Sequence, residues 1–141
     1  MTLVEHWISG KSTKSTSNRF GDVFDPALGV VTKQVAFASV DEMQSAIRTA
    51  KTAFQSWSQT PLAVRQQTMF AFRELLNARK GELAEIITTE HGKVVSDALG
   101  EVTRGLEVVE FACGLNQLLK GDFTENASTG VDVYSIRQPL G

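Results

Sequence analysis

Cysteine is nearly absent from this sequence, and Cys113 is the single example in 141 positions. One thiol excludes an internal disulfide framework and is typical of proteins from a reducing compartment. Histidine is also scarce: His6 and His91, with one cysteine, do not provide the ligand spacing of a metal site. We therefore predict no metal site.

Long apolar runs and an excess of one charge are missing as well. No apolar segment approaches the roughly 20 residues that a membrane-spanning helix needs, and the N-terminal residues lack the features of a secretory signal. The 14 basic and 16 acidic side chains give a net charge of −2, and the basic residues are scattered. A nucleic-acid-binding protein would concentrate them on one face. We expect a soluble, cytoplasmic protein that binds neither nucleic acid nor membrane.

Residues 5–38 have short, strand-like patterns around a polar stretch at residues 9–18. Residues 20–24 alternate apolar with polar, and a second strand is predicted over residues 30–37. Between them, residues 25–29 (Asp-Pro-Ala-Leu-Gly) have turn composition, because proline fixes φ and glycine accepts a positive φ. The pattern predicts two strands joined by a tight turn.

Four helices are predicted after these strands. Ser39 and Glu42 have the spacing of a capping box, and the residues that follow share one helical face because they recur every three or four positions. This first apolar face comprises Met43, Ala46, Ile47, Ala50, Ala53, Phe54 and Trp57. The second helix begins at Thr60-Pro61, and its predicted buried side is Met69, Phe72 and Leu76. The third runs from about residue 80 to 91, is anchored by Leu83, Ile86 and Ile87, and ends at Gly92 as a C-cap.

The fourth helix, predicted over about residues 94–120, is apolar on two sides. Its first stripe is Val95, Leu99, Val102, Leu106, Val109 and Cys113. Its second stripe is Val108, Phe111 and Leu115. Because such a helix needs cover on both sides, we expect the chain to be part of a larger protein. After Gly121, residues 124–130 are predicted as a polar loop and residues 131–138 as an extended segment.

Two side chains of the fourth helix are candidates for chemistry. Cys113 lies on the first stripe, where burial makes a thiol unreactive, so we interpret it as a core residue. Arg104 lies on the second stripe beside Gly100 and is expected to be partly buried. A buried guanidinium needs an anionic partner. That partner is either an acidic neighbour (Asp97, Glu101 or Glu107) or the carboxylate of a substrate held by a bidentate clamp.

The order and spacing of several short motifs resemble those of the aldehyde dehydrogenase superfamily. These motifs are Asp25-Pro26-x-x-Gly29, Ala50-x-x-Ala53-Phe54-x-x-Trp57, Arg65, Glu90-His91-Gly92-Lys93, Gly100-Glu101-Val102 and Pro139-Leu140-Gly141. A narrower resemblance, over residues 104–112 and 131–141, is to the CoA-acylating methylmalonate-semialdehyde dehydrogenases. In that family an arginine matching Arg104 contacts the substrate carboxylate, so the resemblance favours Arg104 as a substrate-binding residue.

The resemblance implies an α/β fold, in which this chain supplies the N-terminal helical layer and edge strands of a coenzyme-binding domain. Residues 1–121 would be the N-terminal part of that domain. Residues 122–141 would be the first strand of an oligomerisation hairpin, running into the first dinucleotide-binding strand. No catalytic, cofactor-binding or metal-binding residue can be carried over to positions 1–141.

The activity implied by the resemblance is oxidation of methylmalonate or malonate semialdehyde with NAD and CoA. The products would be propionyl-CoA or acetyl-CoA, carbon dioxide and NADH, made by a homodimer or homotetramer. We expect the 141-residue chain alone to be inactive. Two alternatives stay open: a non-acylating dehydrogenase that makes a free acid, and a non-catalytic helical interaction module.

Overall fold

The computed structural model describes residues 2–140, which form a mixed α/β structure, as predicted. The strands are β1 (Thr2–Val4), β2 (His6–Ile8), β3 (Lys11–Thr13), β4 (Phe20–Asp25), β5 (Val30–Ala36), β6 (Phe123–Ser128) and β7 (Val131–Tyr134). The helices are α1 (Val40–Trp57), α2 (Leu62–Ala78), α3 (Lys80–His91), α4 (Val95–Ala112) and α5 (Leu115–Leu118).

The central sheet has the order β1-β5-β4. β4 and β5 are antiparallel and joined by the predicted turn, whereas β1 is parallel to β5 with Leu3 opposite Gln34. In the turn, the Asp25 carboxylate accepts from the amides of Ala27 (2.8 Å) and Leu28 (3.1 Å), and Gly29 has a φ of 68°. The strand and turn prediction for residues 20–36 is therefore confirmed.

A second, two-stranded sheet pairs β2 with β3. β3 lies within the polar stretch at residues 9–18, where sequence analysis identified no strand. Ser9 and Gly10 form the connection with φ values of 55° and 73°. The hairpin is short and polar, so it has little of the apolar alternation by which a strand is recognised.

Helix α1 begins with the predicted capping box. Ser39 accepts from the Glu42 amide, and the Glu42 carboxylate accepts from the Ser39 amide at 2.7 Å. The same carboxylate also accepts from the Ser15 hydroxyl (3.0 Å) and the Thr16 amide (2.5 Å). Glu42 therefore fastens the segment after β3 to the N-terminus of α1.

Acid is expected to weaken this attachment. Hydrogen bonds from the Ser39 amide, and then the Thr16 amide, lower the pKa of Glu42 to about 2 from an ordinary 4.5. Because the folded-state pKa is the lower one, this stabilisation is present above pH 4.5 and is lost as the pH falls towards 2. We predict that Glu42→Gln, which removes the charge, makes the midpoint of thermal unfolding less sensitive to pH across this window.

The control for this prediction is Asp41→Asn, which removes a carboxylate from the same helical turn without touching the Ser15–Thr16 segment. This variant should keep the acid sensitivity of the unaltered chain. Equal acid sensitivity of the Glu42→Gln variant and the unaltered chain would contradict the role assigned to Glu42.

The small core lies chiefly between α3 and α4. Its buried apolar residues are Ala36, Ala84, Ala98, Leu106 and Cys113. The first stripe of the predicted fourth helix is confirmed in part, since Leu106 and Cys113 are buried while Val95 is exposed.

The predicted burial of Phe72 on α2 and Ile86 on α3 is wrong within this chain, because both side chains are exposed. Gly92, with a φ of 83°, caps α3 as predicted.

The predicted continuous fourth helix is interrupted at Cys113-Gly114, and α5 follows as a separate turn. At the interruption, the Gln66 side chain of α2 donates to the Cys113 carbonyl at 2.6 Å. Asn116 in turn donates to the Gln66 carbonyl oxygen at 2.8 Å. The Gln66 side chain thereby satisfies a carbonyl group that the end of α4 leaves without an intrahelical partner.

The polar loop predicted at residues 124–130 is wrong, because residues 123–128 form β6. β6 pairs with β7 in an antiparallel hairpin, and every residue of both strands is exposed. The extended segment predicted from residue 131 is confirmed for Val131–Tyr134. The assigned role of residues 122–141 in oligomerisation stays a prediction.

Apolar side chains are extensively exposed in this structure. No residue of α1 is buried, and Met43 and Ile47 are 57% and 59% exposed. On the second stripe of α4, Val108 and Phe111 are 68% and 70% exposed. Within residues 2–140, none of the helices combines the length and apolar content required to cross a membrane.

Candidate functional site

Arg104 lies in the middle of α4, and its side chain points away from the small core. The residue is exposed, so the expected partial burial is wrong within this chain. Among residues 2–140 it forms no salt bridge and no side-chain hydrogen bond. The guanidinium therefore keeps all of its donors for another group.

Two of the three acidic neighbours proposed as partners for Arg104 are bound by a different cation. Lys93 Nζ lies 2.8 Å from an Asp97 carboxylate oxygen and 2.5 Å from a Glu101 carboxylate oxygen. The Lys93 side chain is only 15% exposed, whereas the Asp97 side chain is 64% exposed. The third candidate, Glu107, forms no salt bridge within residues 2–140.

The protonation of this cluster follows from its hydrogen bonds. Hydrogen bonds to Asp97 and then to Glu101 raise the pKa of Lys93 above its usual value. The bond from Lys93, and then its charge, lower the pKa of Asp97, with smaller contributions from the charges of Arg104 and His91. Lys93 is therefore a charged ammonium group, and Asp97 is a carboxylate that senses the charge of Arg104.

Sequence analysis missed the pairing of Lys93. Asp97 follows Lys93 by four residues, and Glu101 follows Asp97 by four, which is the spacing that brings side chains together on one helical face. This signal was present in the sequence. Lys93 itself precedes the helix, so the helical periodicity of α4 does not include it.

Two glycines flank Arg104 on α4. A Cβ atom added to Gly100 or Gly105 would meet no atom within 4 Å among the described residues. Close packing within this chain therefore does not require glycine at either position, although each weakens the helix by about 1 kcal/mol relative to alanine. Together with Val108 and Phe111, they leave the surface around Arg104 open and partly apolar.

The other candidate residues lie apart from this cluster. Cys113 is a free, buried thiol at the end of α4, and its interpretation as a core residue is confirmed. His91 lies in the last turn of α3, where its position was predicted. Within residues 2–140, no group of three or more His, Cys, Asp or Glu side chains has the arrangement of a metal site.

A separate cleft of about 630 Å³ contains two arginines, Arg65 and Arg137. Each donates through Nε to a main-chain carbonyl, at Thr60 and Lys120 respectively, both at 3.1 Å. The first bond joins α2 to the connection between α1 and α2, and the second joins the segment after β7 to the segment after α5. The cleft adjoins Pro139, close to the end of the described residues.

Comparison with known proteins identifies the family. Residues 12–141 match the aldehyde dehydrogenase family. The chain is 44% identical over 138 residues to the mitochondrial, acylating methylmalonate-semialdehyde dehydrogenase of Arabidopsis thaliana, covering 98% of this chain and 23% of that protein. It is 37% identical to the malonate-semialdehyde dehydrogenase of Pseudomonas aeruginosa, covering 100% of this chain and 28% of that protein.

A solved structure gives the same result. The chain superposes with a TM-score of 0.94 and 44% identity on a Sinorhizobium meliloti protein assigned as a methylmalonate-semialdehyde dehydrogenase and complexed with NAD. The match covers 100% of this chain and 29% of that one. The chain therefore spans about a quarter of the length of the relatives it matches. By sequence and by fold, it belongs to the aldehyde dehydrogenase family.

Proposed function

We propose that this chain is the N-terminal segment of an oxidoreductase that acts on methylmalonate semialdehyde or malonate semialdehyde with NAD and CoA. The products are propionyl-CoA or acetyl-CoA, carbon dioxide and NADH. The observation that carries the proposal is the similarity, at 44% identity over 98% of this chain, to part of an acylating methylmalonate-semialdehyde dehydrogenase. NAD is supported by the related structure in which it is bound.

Arg104 is the residue of this chain to which we assign a direct role. Its guanidinium has no anionic partner among residues 2–140 and lies on an open face of α4. A guanidinium fork matches the two oxygens of a carboxylate, which the semialdehyde carries and a simple aldehyde lacks. In our proposal, Arg104 binds the substrate carboxylate and holds the aldehyde group in place for attack.

The remaining chemistry belongs to residues outside positions 1–141. A cysteine thiolate would attack the aldehyde carbon, and hydrogen-bond donors would stabilise the oxyanion that forms. When bound, NAD would supply the hydride acceptor and CoA the acyl acceptor, and the acyl group would lose carbon dioxide before its transfer. Apolar side chains are exposed on α1 and α4, as expected of surfaces that pack against further protein. This exposure supports the proposal that the catalytic residues lie in another part of a larger enzyme.

Assembly and location complete the proposal. We assign the fully exposed β6–β7 hairpin to contacts within a homodimer or homotetramer. An isolated two-stranded hairpin has little stability of its own, so pairing with further strands would stabilise it. The cytoplasm remains the predicted location, although the Arabidopsis relative is named as mitochondrial.

The principal alternative is a non-acylating dehydrogenase that releases a free acid. The Pseudomonas relative is named for its semialdehyde alone, without mention of acyl transfer, so this alternative is tested directly. An independent interaction module is less well supported, because residues 12–141 match an enzyme family and apolar side chains are left exposed.

The test is an assay of the complete gene product with NAD and either methylmalonate semialdehyde or malonate semialdehyde, in the presence and absence of CoA. From methylmalonate semialdehyde we expect NADH and propionyl-CoA in equal amounts, and no turnover by the 141-residue chain alone. Release of a free acid whether or not CoA is present would establish the non-acylating alternative. Failure to reduce NAD with either semialdehyde would overturn the proposal.

A further inference from the structure

Lys93 occupies a distinctive position in the charge pattern around Arg104. It precedes the first turn of α4, and its ammonium group lies between two carboxylates that are one helical turn apart, Asp97 and Glu101. Its side chain is largely covered, with 15% exposed. One cation therefore neutralises much of the negative charge on the N-terminal half of this helical face.

Without Lys93, these carboxylates would be free to interact with Arg104. Glu101 precedes Arg104 by three residues, a spacing at which oppositely charged side chains pair on a helix. Asp97 lies two turns before Arg104 and already senses its charge. Either carboxylate would then compete with an incoming anion for the guanidinium.

We propose that Lys93 is a positioning residue, which holds Glu101 and Asp97 away from Arg104 so that the guanidinium stays available to a substrate carboxylate. This inference rests on the proposed function, because it requires Arg104 to bind that carboxylate. Lys93 itself touches no substrate. It acts by pairing with the two acidic groups that precede Arg104 on this face of α4.

Glu107 provides an internal comparison. It follows Arg104 by three residues, the same separation as Glu101 on the other side, and carries the same charge. It has no contact with Lys93, and it forms no salt bridge within residues 2–140. An effect of Lys93 that works through Glu101 should therefore disappear when Glu101 is neutralised and persist when Glu107 is neutralised.

The experiment measures KM and kcat of the complete gene product for methylmalonate semialdehyde and for propanal, which has no carboxylate. Lys93→Met should raise KM for the semialdehyde about two- to fivefold, because an intramolecular ion pair and unneutralised negative charge would compete with the substrate. The KM for propanal should stay unchanged. Adding Glu101→Gln to Lys93→Met should lower KM for the semialdehyde most of the way back to that of the unaltered enzyme. Adding Glu107→Gln should leave KM raised.

The outcomes distinguish failure of the role proposed for Lys93 from failure of the role proposed for Arg104. If Arg104→Lys shows no selectivity between the two substrates, the clamp itself is wrong. If Arg104→Lys is selective but Lys93→Met affects both substrates equally, or Glu101→Gln gives no rescue, Lys93 has a structural role and the inference is overturned. Should Lys93→Met fail to fold, Lys93→Gln, which removes the charge but keeps a polar side chain, tests the same point, with a smaller expected rise in KM and the same rescue by Glu101→Gln.

Discussion

Replacement of Arg104 by lysine should raise KM for methylmalonate semialdehyde about 10- to 100-fold in the complete gene product. Lysine keeps the positive charge but replaces a planar fork of donors with a single ammonium group. Loss of one charge-assisted hydrogen bond costs about 1.5–3 kcal/mol, and each 1.4 kcal/mol is about tenfold in affinity. The KM for propanal should stay within about twofold, because this substrate presents no carboxylate to the fork.

Steady-state kinetics with both aldehydes measure this selectivity. Arg48→Lys is the matched control, since Arg48 is also an exposed helical arginine but lies on α1 instead of α4. It should change neither KM. An equal loss of affinity for both aldehydes in the Arg104→Lys variant would show that Arg104 maintains the fold rather than binding the carboxylate.

Gly121→Ala should detach the β6–β7 hairpin from the end of α5. A Cβ atom at position 121 would lie 2.7 Å from the Ser135 carbonyl carbon and closer still to its oxygen. The backbone must therefore move. Movement would break two hydrogen bonds between Asp122 and Ser135, each 2.9 Å long. We expect a loss of about 2–3 kcal/mol in the free energy of unfolding, from strain and lost hydrogen bonds.

Denaturant unfolding measures the overall loss, and hydrogen exchange of the Asp122 and Ser135 amides locates it. Gly81→Ala is the control: a Cβ atom at this exposed position of α3 meets nothing within 4 Å. It should stabilise the protein by about 0.5–1 kcal/mol, because alanine loses less backbone freedom on folding. Unchanged exchange at Asp122 and Ser135 in the Gly121→Ala variant would show that the close approach at Gly121 is unimportant.

Local signals in the sequence were sufficient to predict several elements. The capping box at Ser39 and Glu42, the turn at Asp25–Gly29 and the C-cap at Gly92 all depend on residues close together in the chain. Each was found where predicted. Periodicity likewise located α1, but it shows only that side chains share a face. It does not show what packs against them, so the exposure of Met43 and Ile47 was not foreseen.

Long-range contacts account for the main errors. At the interruption near Gly114, the Cys113 carbonyl is bound by Gln66, which comes from another helix and which no local pattern connects with Cys113. The strand at residues 123–128 is polar and forms through pairing with β7. The position of Arg104 on the second face of α4 was predicted correctly. Predicting that Arg104 is exposed, and that Lys93 binds two of its acidic neighbours, requires knowledge of the three-dimensional structure.

The parallel pairing of β1 with β5 has a consequence for the order of folding. β4 and β5 are joined by a tight turn, whereas the chain between β1 and β5 contains β2, β3 and β4. Closing the larger loop costs more chain entropy, so the β4–β5 hairpin should form first and β1 should join it afterwards. During synthesis, β1 leaves the ribosome before β5 does, so β1 stays unpaired until β5 has emerged.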